Sequence, residues 1–169
     1  MKMRNLFKAA VSAFVGGLGF AVMFAAQPAL AESPEGIILY SVEGEFDVVA
    51  QDIEDAIINR GYVVDYVAHV GEMLNRTAED VGATVKVYSD AEVFQFCSAV
   101  VSRKAMEADP VNIAFCPYSI FVYERADEPG MVYAGYKLLQ GGNADGSQEA
   151  LDAVNALLDD LVHEGTGVE

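Results

Sequence analysis

The stretch that decides the fold is YSIFVYERADEPGMVYAGYKL, residues 118–138. Its two ends, 118–124 and 131–138, are rich in aromatic and β-branched residues, and a polar RADEPG segment with a Pro-Gly pair separates them. Such runs read as strands, and a link this short joins them as an antiparallel hairpin rather than through a crossover. Downstream, Leu151, Val154, Leu158 and Leu161 recur at helical spacing with aspartates opposite, which predicts a helix over 147–163.

Upstream of the hairpin, IILYSV (37–42) predicts a first strand. FDVVAQDIEDAIINRG follows as an amphipathic helix that buries Val49, Ile53, Ala56 and Ile57 and stops at Gly61. YVVDYVAHV (62–70) predicts a second strand with Tyr62, Val64, Tyr66, Ala68 and Val70 on one face. A short helix or ordered loop over 71–83 and a brief strand over 84–89 come next. Asp90 then caps a helix AEVFQFCSAVVSRKAMEA whose stripe is Phe94, Cys97, Val101 and Ala105, ending at Asp109-Pro110. The order β-α-β-(α)-β-α-β-β-α implies a single α+β domain with a mixed or antiparallel sheet and helices packed on one face.

The N-terminus reads differently. Lys2, Arg4 and Lys8 precede an apolar run from Ala9 to Ala26, and Ala29-Leu30-Ala31 supplies the small residues of a cleavage site. This is the pattern of a secretory signal over residues 1–31, so a secreted or periplasmic bacterial protein is expected. A short leader, 32–36, then precedes the domain, 37–163. A retained anchor is the alternative, but Gly16, Gly17 and Gly19 weaken the run as a spanning helix. No later segment is long and apolar enough to span a membrane, so no membrane association is expected after cleavage.

The full chain carries 10 Lys or Arg against 26 Asp or Glu, a formal net charge of -16. Cleavage after Ala31 removes three cations and no acid, leaving -19 on 138 residues. Such a surface repels nucleic acid and attracts cations or basic proteins, such as a c-type cytochrome, or a small ligand.

Two blocks resemble the domain-of-unknown-function family numbered 302. The first is AIINRGYVVDYVAHV (56–70), an amphipathic helix closed by Arg60-Gly61-Tyr62 and followed by a strand with His69 near its end. The second is IAFCPYSIFVYERADEPGMVYAGYKL (113–138), with Pro117, then Val122-Tyr123-Glu124, Gly130, and Tyr133 to Tyr136. The resemblance covers roughly 36–140. It implies a compact α+β fold and no particular reaction. The signal, the two cysteines and the C-terminal helix suggest an exported subtype.

Cys97 and Cys116 are the chain's two cysteines. An even count in an exported domain points to a disulfide, and the intervening helix and turn allow the thiols to meet. Closing that loop would stabilise the fold by roughly 3 kcal/mol. Two other readings stay open. One is a copper or haem site built from Cys97, Cys116, His69, Met73 and Met106, although the spacing fits no zinc pattern. The other is a catalytic or sulfur-transferring dithiol, which a mid-helix buried Cys97 would not favour. No resident cofactor and no catalytic residue is expected; a non-enzymatic binding or accessory role is. His69, Cys116, Tyr118 and Tyr133 are the candidate ligand-binding residues, the tyrosines because aromatic rings crowd the hairpin.

Overall fold

A computed structural model describes residues 29–30, 33–141 and 144–167. Most of the expected signal lies outside the described residues; Ala29 and Leu30 are within them. Eleven elements follow one another: β1 (Ala29–Leu30), β2 (Ile37–Glu43), α1 (Phe46–Asn59), β3 (Val64–His69), α2 (Val70–Thr77), β4 (Tyr88–Phe96), α3 (Ala99–Ala108), a 3₁₀ turn (Pro110–Phe115), β5 (Tyr118–Arg125), β6 (Met131–Lys137) and α4 (Ser147–Thr166).

The fold is α+β. The strands form one sheet in the order β1-β2-β6-β5-β4-β3. Every neighbouring pair is antiparallel, so the sheet is not mixed. The hairpin forms as expected, with Ile120 opposite Tyr136 and Glu124 opposite Val132. β2 pairs with β6 over all seven of its residues without a register shift. Helix α1 therefore carries the chain from beside β6 to the far edge at β3.

One sheet face meets α1, α3 and α4. Tyr40, Phe94, Phe96, Ile120, Val122, Val132 and Ala134 enter the core from the strands, while Ile53, Ile57, Leu151, Val154, Leu158 and Leu161 enter it from the helices. All four helical positions expected on α1 and all four on α4 are buried. Gly61 adopts φ 81°, the left-handed stop that ends α1. The two helices pack closely because Gly165 has no side chain: a Cβ there would sit 2.5 Å from Ile53 Cδ1 and 2.7 Å from Ile53 Cα. Arg60 fastens the same pair from outside, at 2.8 Å from Glu164 and 3.3 Å from Asp160.

Two expectations are corrected. Residues 91–96, expected in the helix, are strand, and helix begins only at Ala99, so Cys97 lies between the two and is exposed rather than mid-helix in the core. The apparent helical stripe spans two elements: Phe94 belongs to the strand, Val101 and Ala105 to the helix. Asp90 is accordingly a strand residue, and the segment expected as strand over 84–89 is irregular up to Val87. On β3, a bulge between Val64 and Tyr66 shifts the alternation. Tyr66 is thereby left 61% exposed, while Val67 packs against the core.

Candidate functional site

The two cysteines approach each other from different elements. Cys97 follows β4 where the chain turns into α3, and Cys116 closes the 3₁₀ turn just before β5. Phe96 and Tyr118 are register partners, so the residues beside them are brought to the same end of the sheet. The Sγ atoms stand 3.5 Å apart, with the Cys97 thiol donating to Cys116. Both are free thiols in this structure; the expected covalent bond is not formed.

A polar chain continues inward. Ser102 Oγ lies 3.5 Å from Cys116 Sγ and donates to the Tyr118 hydroxyl at 3.1 Å. Ser102 and Tyr118 are both buried, whereas Cys116 is half-buried and Cys97 is open to solvent. Burial of its sulfur, then the hydrogen bond to Cys116 and the proximity of Cys116 and Asp65, push the Cys97 thiol up to about 11. Burial likewise pushes Tyr118 up to about 12, against the lowering effect of the Ser102 hydrogen bond. A thiol held protonated at neutral pH is a poor nucleophile and a poor metal ligand until its proton is removed. The pair therefore stands in sulfur–sulfur contact but unbonded, with the Cys97 proton held at neutral pH.

The other candidate residues lie elsewhere. His69 ends β3 opposite Glu92, with Nδ1 2.7 Å from the carboxylate. Five residues of extended strand separate Glu92 from Cys97, roughly 16 Å. Met73 is on α2, directly after His69, and Met106 is on α3. The fold therefore does not bring the copper or haem set of Cys97, Cys116, His69, Met73 and Met106 together. Among the described residues, no group of three or more His, Cys, Asp or Glu side chains is placed to hold a metal ion.

His69 has a site of its own. It borders an open cleft of about 420 Å³ between α1 and the β3–β4 end of the sheet, lined also by Asp47, Gln51, Glu54, Glu92 and Phe94. Three carboxylates around one opening suit the basic side chain of a partner rather than a bare metal ion.

The tyrosines divide by face. Tyr118 and Tyr136 point toward the helices; Tyr133 lies on the opposite face, stacked on Tyr123 at 5.0 Å and donating to Glu128 at 2.8 Å. Tyr118 and Tyr133 therefore cannot line one groove.

Some partners carry no sequence signal that singles them out. Asp159 accepts hydrogen bonds from both Tyr40 (2.8 Å) and Tyr136 (3.1 Å), and its other oxygen stands 3.7 Å from His163. Burial and then the Asp159 contact push Tyr40 up to about 12. Asn112 donates to the Ala105 carbonyl and to Ser147 Oγ, tying the 3₁₀ turn beside Cys116 to the first residue of α4. Asp159 itself is only half-buried, next to the buried Leu158 and Leu161, and looks in the sequence like any other aspartate of the helix.

A family model described as "Domain of unknown function DUF302" matches residues 38–164. The crystal structure of an uncharacterized conserved protein DUF302 from Bacillus stearothermophilus aligns with a TM-score of 0.62 at 14% sequence identity, over 78% of this chain and 98% of that one. At that identity the likeness is one of fold. No match is found among curated proteins.

Proposed function

Because the chain belongs to the DUF302 family, which supplies a fold and no reaction, we propose a role from the chemistry of its own residues: an exported, non-enzymatic binding or accessory domain locked by a Cys97–Cys116 disulfide. One observation carries this reading. Two cysteines 19 positions apart, on separate elements, converge to an Sγ–Sγ distance of 3.5 Å at the protein surface.

In an oxidising compartment an oxidised dithiol carrier supplies the chemistry. One deprotonated sulfur of the pair attacks the carrier's disulfide, and the second displaces the carrier thiol. Two S–H bonds are lost here, one S–S bond forms, and the carrier leaves reduced with two protons taken up overall. Exposure of Cys97 gives the carrier access. The closed loop constrains the unfolded chain, a gain of about 3 kcal/mol. Binding falls to the acidic cleft beside His69, where Asp47, Glu54 and Glu92 complement a basic side chain of a partner protein.

The test is the intact mass of protein recovered from the export compartment, before and after reduction and alkylation. The expected result is a chain beginning at Glu32, lighter by two hydrogens than the dithiol and alkylated at Cys97 and Cys116 only after reductant. Full alkylation without reductant overturns the lock; a chain retaining residues 1–31 overturns export with cleavage.

A further inference from the structure

The two edges of the sheet differ. At one edge, β3 carries a bulge after Val64 and a charged Asp65, devices that discourage further strand pairing. At the other, β1 already occupies β2 in antiparallel register, with Ala29 opposite Ser41 and Leu30 opposite Tyr40. β1 lies wholly within residues 1–31. Cleavage after Ala31, on which this inference rests, removes the covering strand and leaves β2 as the edge.

Beyond Ile37, whose N–H donates to the Pro34 carbonyl and whose own carbonyl accepts from Ser33 Oγ, β2 has none of the usual guards. IILYSVE contains no lysine, no proline and no bulge, and its one charge, Glu43, is terminal. It is also self-complementary. In an antiparallel pair of β2 strands centred on Tyr40, Ile38 falls opposite Val42 of the second copy, and Tyr40 opposite its own equivalent. The two Glu43 residues fall at opposite ends, each facing an isoleucine. Ile38 and Val42 are only partly buried against the core, so a second strand would cover apolar area the single chain leaves open. On the other face, Ile37 and Leu39 border an apolar groove of about 330 Å³ with Val93, Phe121 and Tyr123, which a second copy would extend.

We infer that signal cleavage converts β2 from a covered strand into a dimer interface, through which two mature chains join their sheets edge to edge about a two-fold axis. An isologous contact of this kind closes on itself and stops at two copies. The five strands β2 to β6 of each copy then form one ten-strand sheet, within the usual size of open sheets.

The mature chain from Glu32 is tested by light scattering and by hydrogen exchange. Twice the chain mass is expected, with slow exchange of the edge-facing amides of Leu39, Ser41 and Glu43; the alternate amides already bond to β6. Ser41→Lys, which sets a cation at the edge, is expected to return the mass to one chain while the far-ultraviolet spectrum is unchanged. A cleaved chain that stays monomeric overturns the dimer and leaves the export reading standing. A dimer that survives Ser41→Lys with the edge-facing amides of 39, 41 and 43 exchanging freely places the contact on another face and also overturns it. If Ser41→Lys does not fold, the unsubstituted protein is diluted to monomer instead. Loss of protection at those edge-facing amides on dilution then supports the dimer, and protection indifferent to dilution overturns it. A chain that retains 1–31 removes the premise and overturns both readings.

Discussion

At the scale of the residue, the thiol pair is governed by where its protons sit. Cys97 holds its proton to about 11, above an ordinary thiol value of 9.0. Around pH 8 the thiolate fraction of the reduced protein is then lower than that of a free thiol by about 100-fold. Alkylation of Cys97 in reduced protein, followed by mass spectrometry, should keep rising with pH past 9 and level off only near 11. A plateau near 9 would mean that burial and Cys116 do not act on it. Stability follows the same sign. The folded reduced chain binds the proton more tightly than the unfolded one, so this contribution is whole below pH 9.0 and is lost as pH climbs toward about 11. Tyr40, raised to about 12 from 10.0, adds a loss in the same direction at higher pH. Alternation within each strand was legible, setting Tyr118 and Tyr123 on opposite sides and likewise Tyr133 and Tyr136, but which tyrosines share a face depends on the hairpin register, which places Tyr123 opposite Tyr133. The Tyr40–Asp159 contact was not legible, since it joins positions 119 apart through a fold that must exist first.

Among the elements, the helix pair α1 and α4 shows how a single missing side chain sets a packing distance. Gly165→Ala would place a methyl within 2.7 Å of the Ile53 backbone. Overpacking of this kind costs roughly 1–3 kcal/mol. A lowered midpoint in chemical denaturation is the expected outcome, with the thiol count unaltered; an unchanged midpoint would show that the helices slide apart without cost. Helices α1 and α4, the hairpin and the fold class were legible because period 3.6 and period 2 are unambiguous in those segments. Residues 90–108 were not. A strand buried on one face and lined by Ala91 and Val93 on the other has almost no alternation, and the following helix happens to continue a spacing that begins inside it. The break falls at Cys97-Ser98, where no proline or glycine marks it. On β3 the bulge after Val64 defeated a clean alternation in the same way, by one residue of shift. Locating the cysteines near each other was within reach of spacing; placing Cys97 at the surface required knowing where the strand stops.

For the whole molecule, charge dominates. The full chain carries 10 cations against 26 acids, and the proposed cleavage would leave seven; such a surface would attract basic partners at long range, with screening at physiological ionic strength shortening that reach to roughly 8 Å. Association with a basic protein, tested with a cationic c-type cytochrome by titration calorimetry, should weaken steeply between low and physiological salt. Glu92→Gln should weaken it further at low salt. Affinity indifferent to salt would remove the acidic surface from recognition. One consequence concerns how the chain is made. β2 finds its place beside β6, pairing Ile37 with Lys137, so the earliest strand of the domain takes its neighbour from near the end of the polypeptide. Were the chain exported as proposed, threading from its N-terminus would hold that strand waiting until the hairpin had crossed. Translocation and folding would then be separated in time, the molecule travelling open and shutting at its destination.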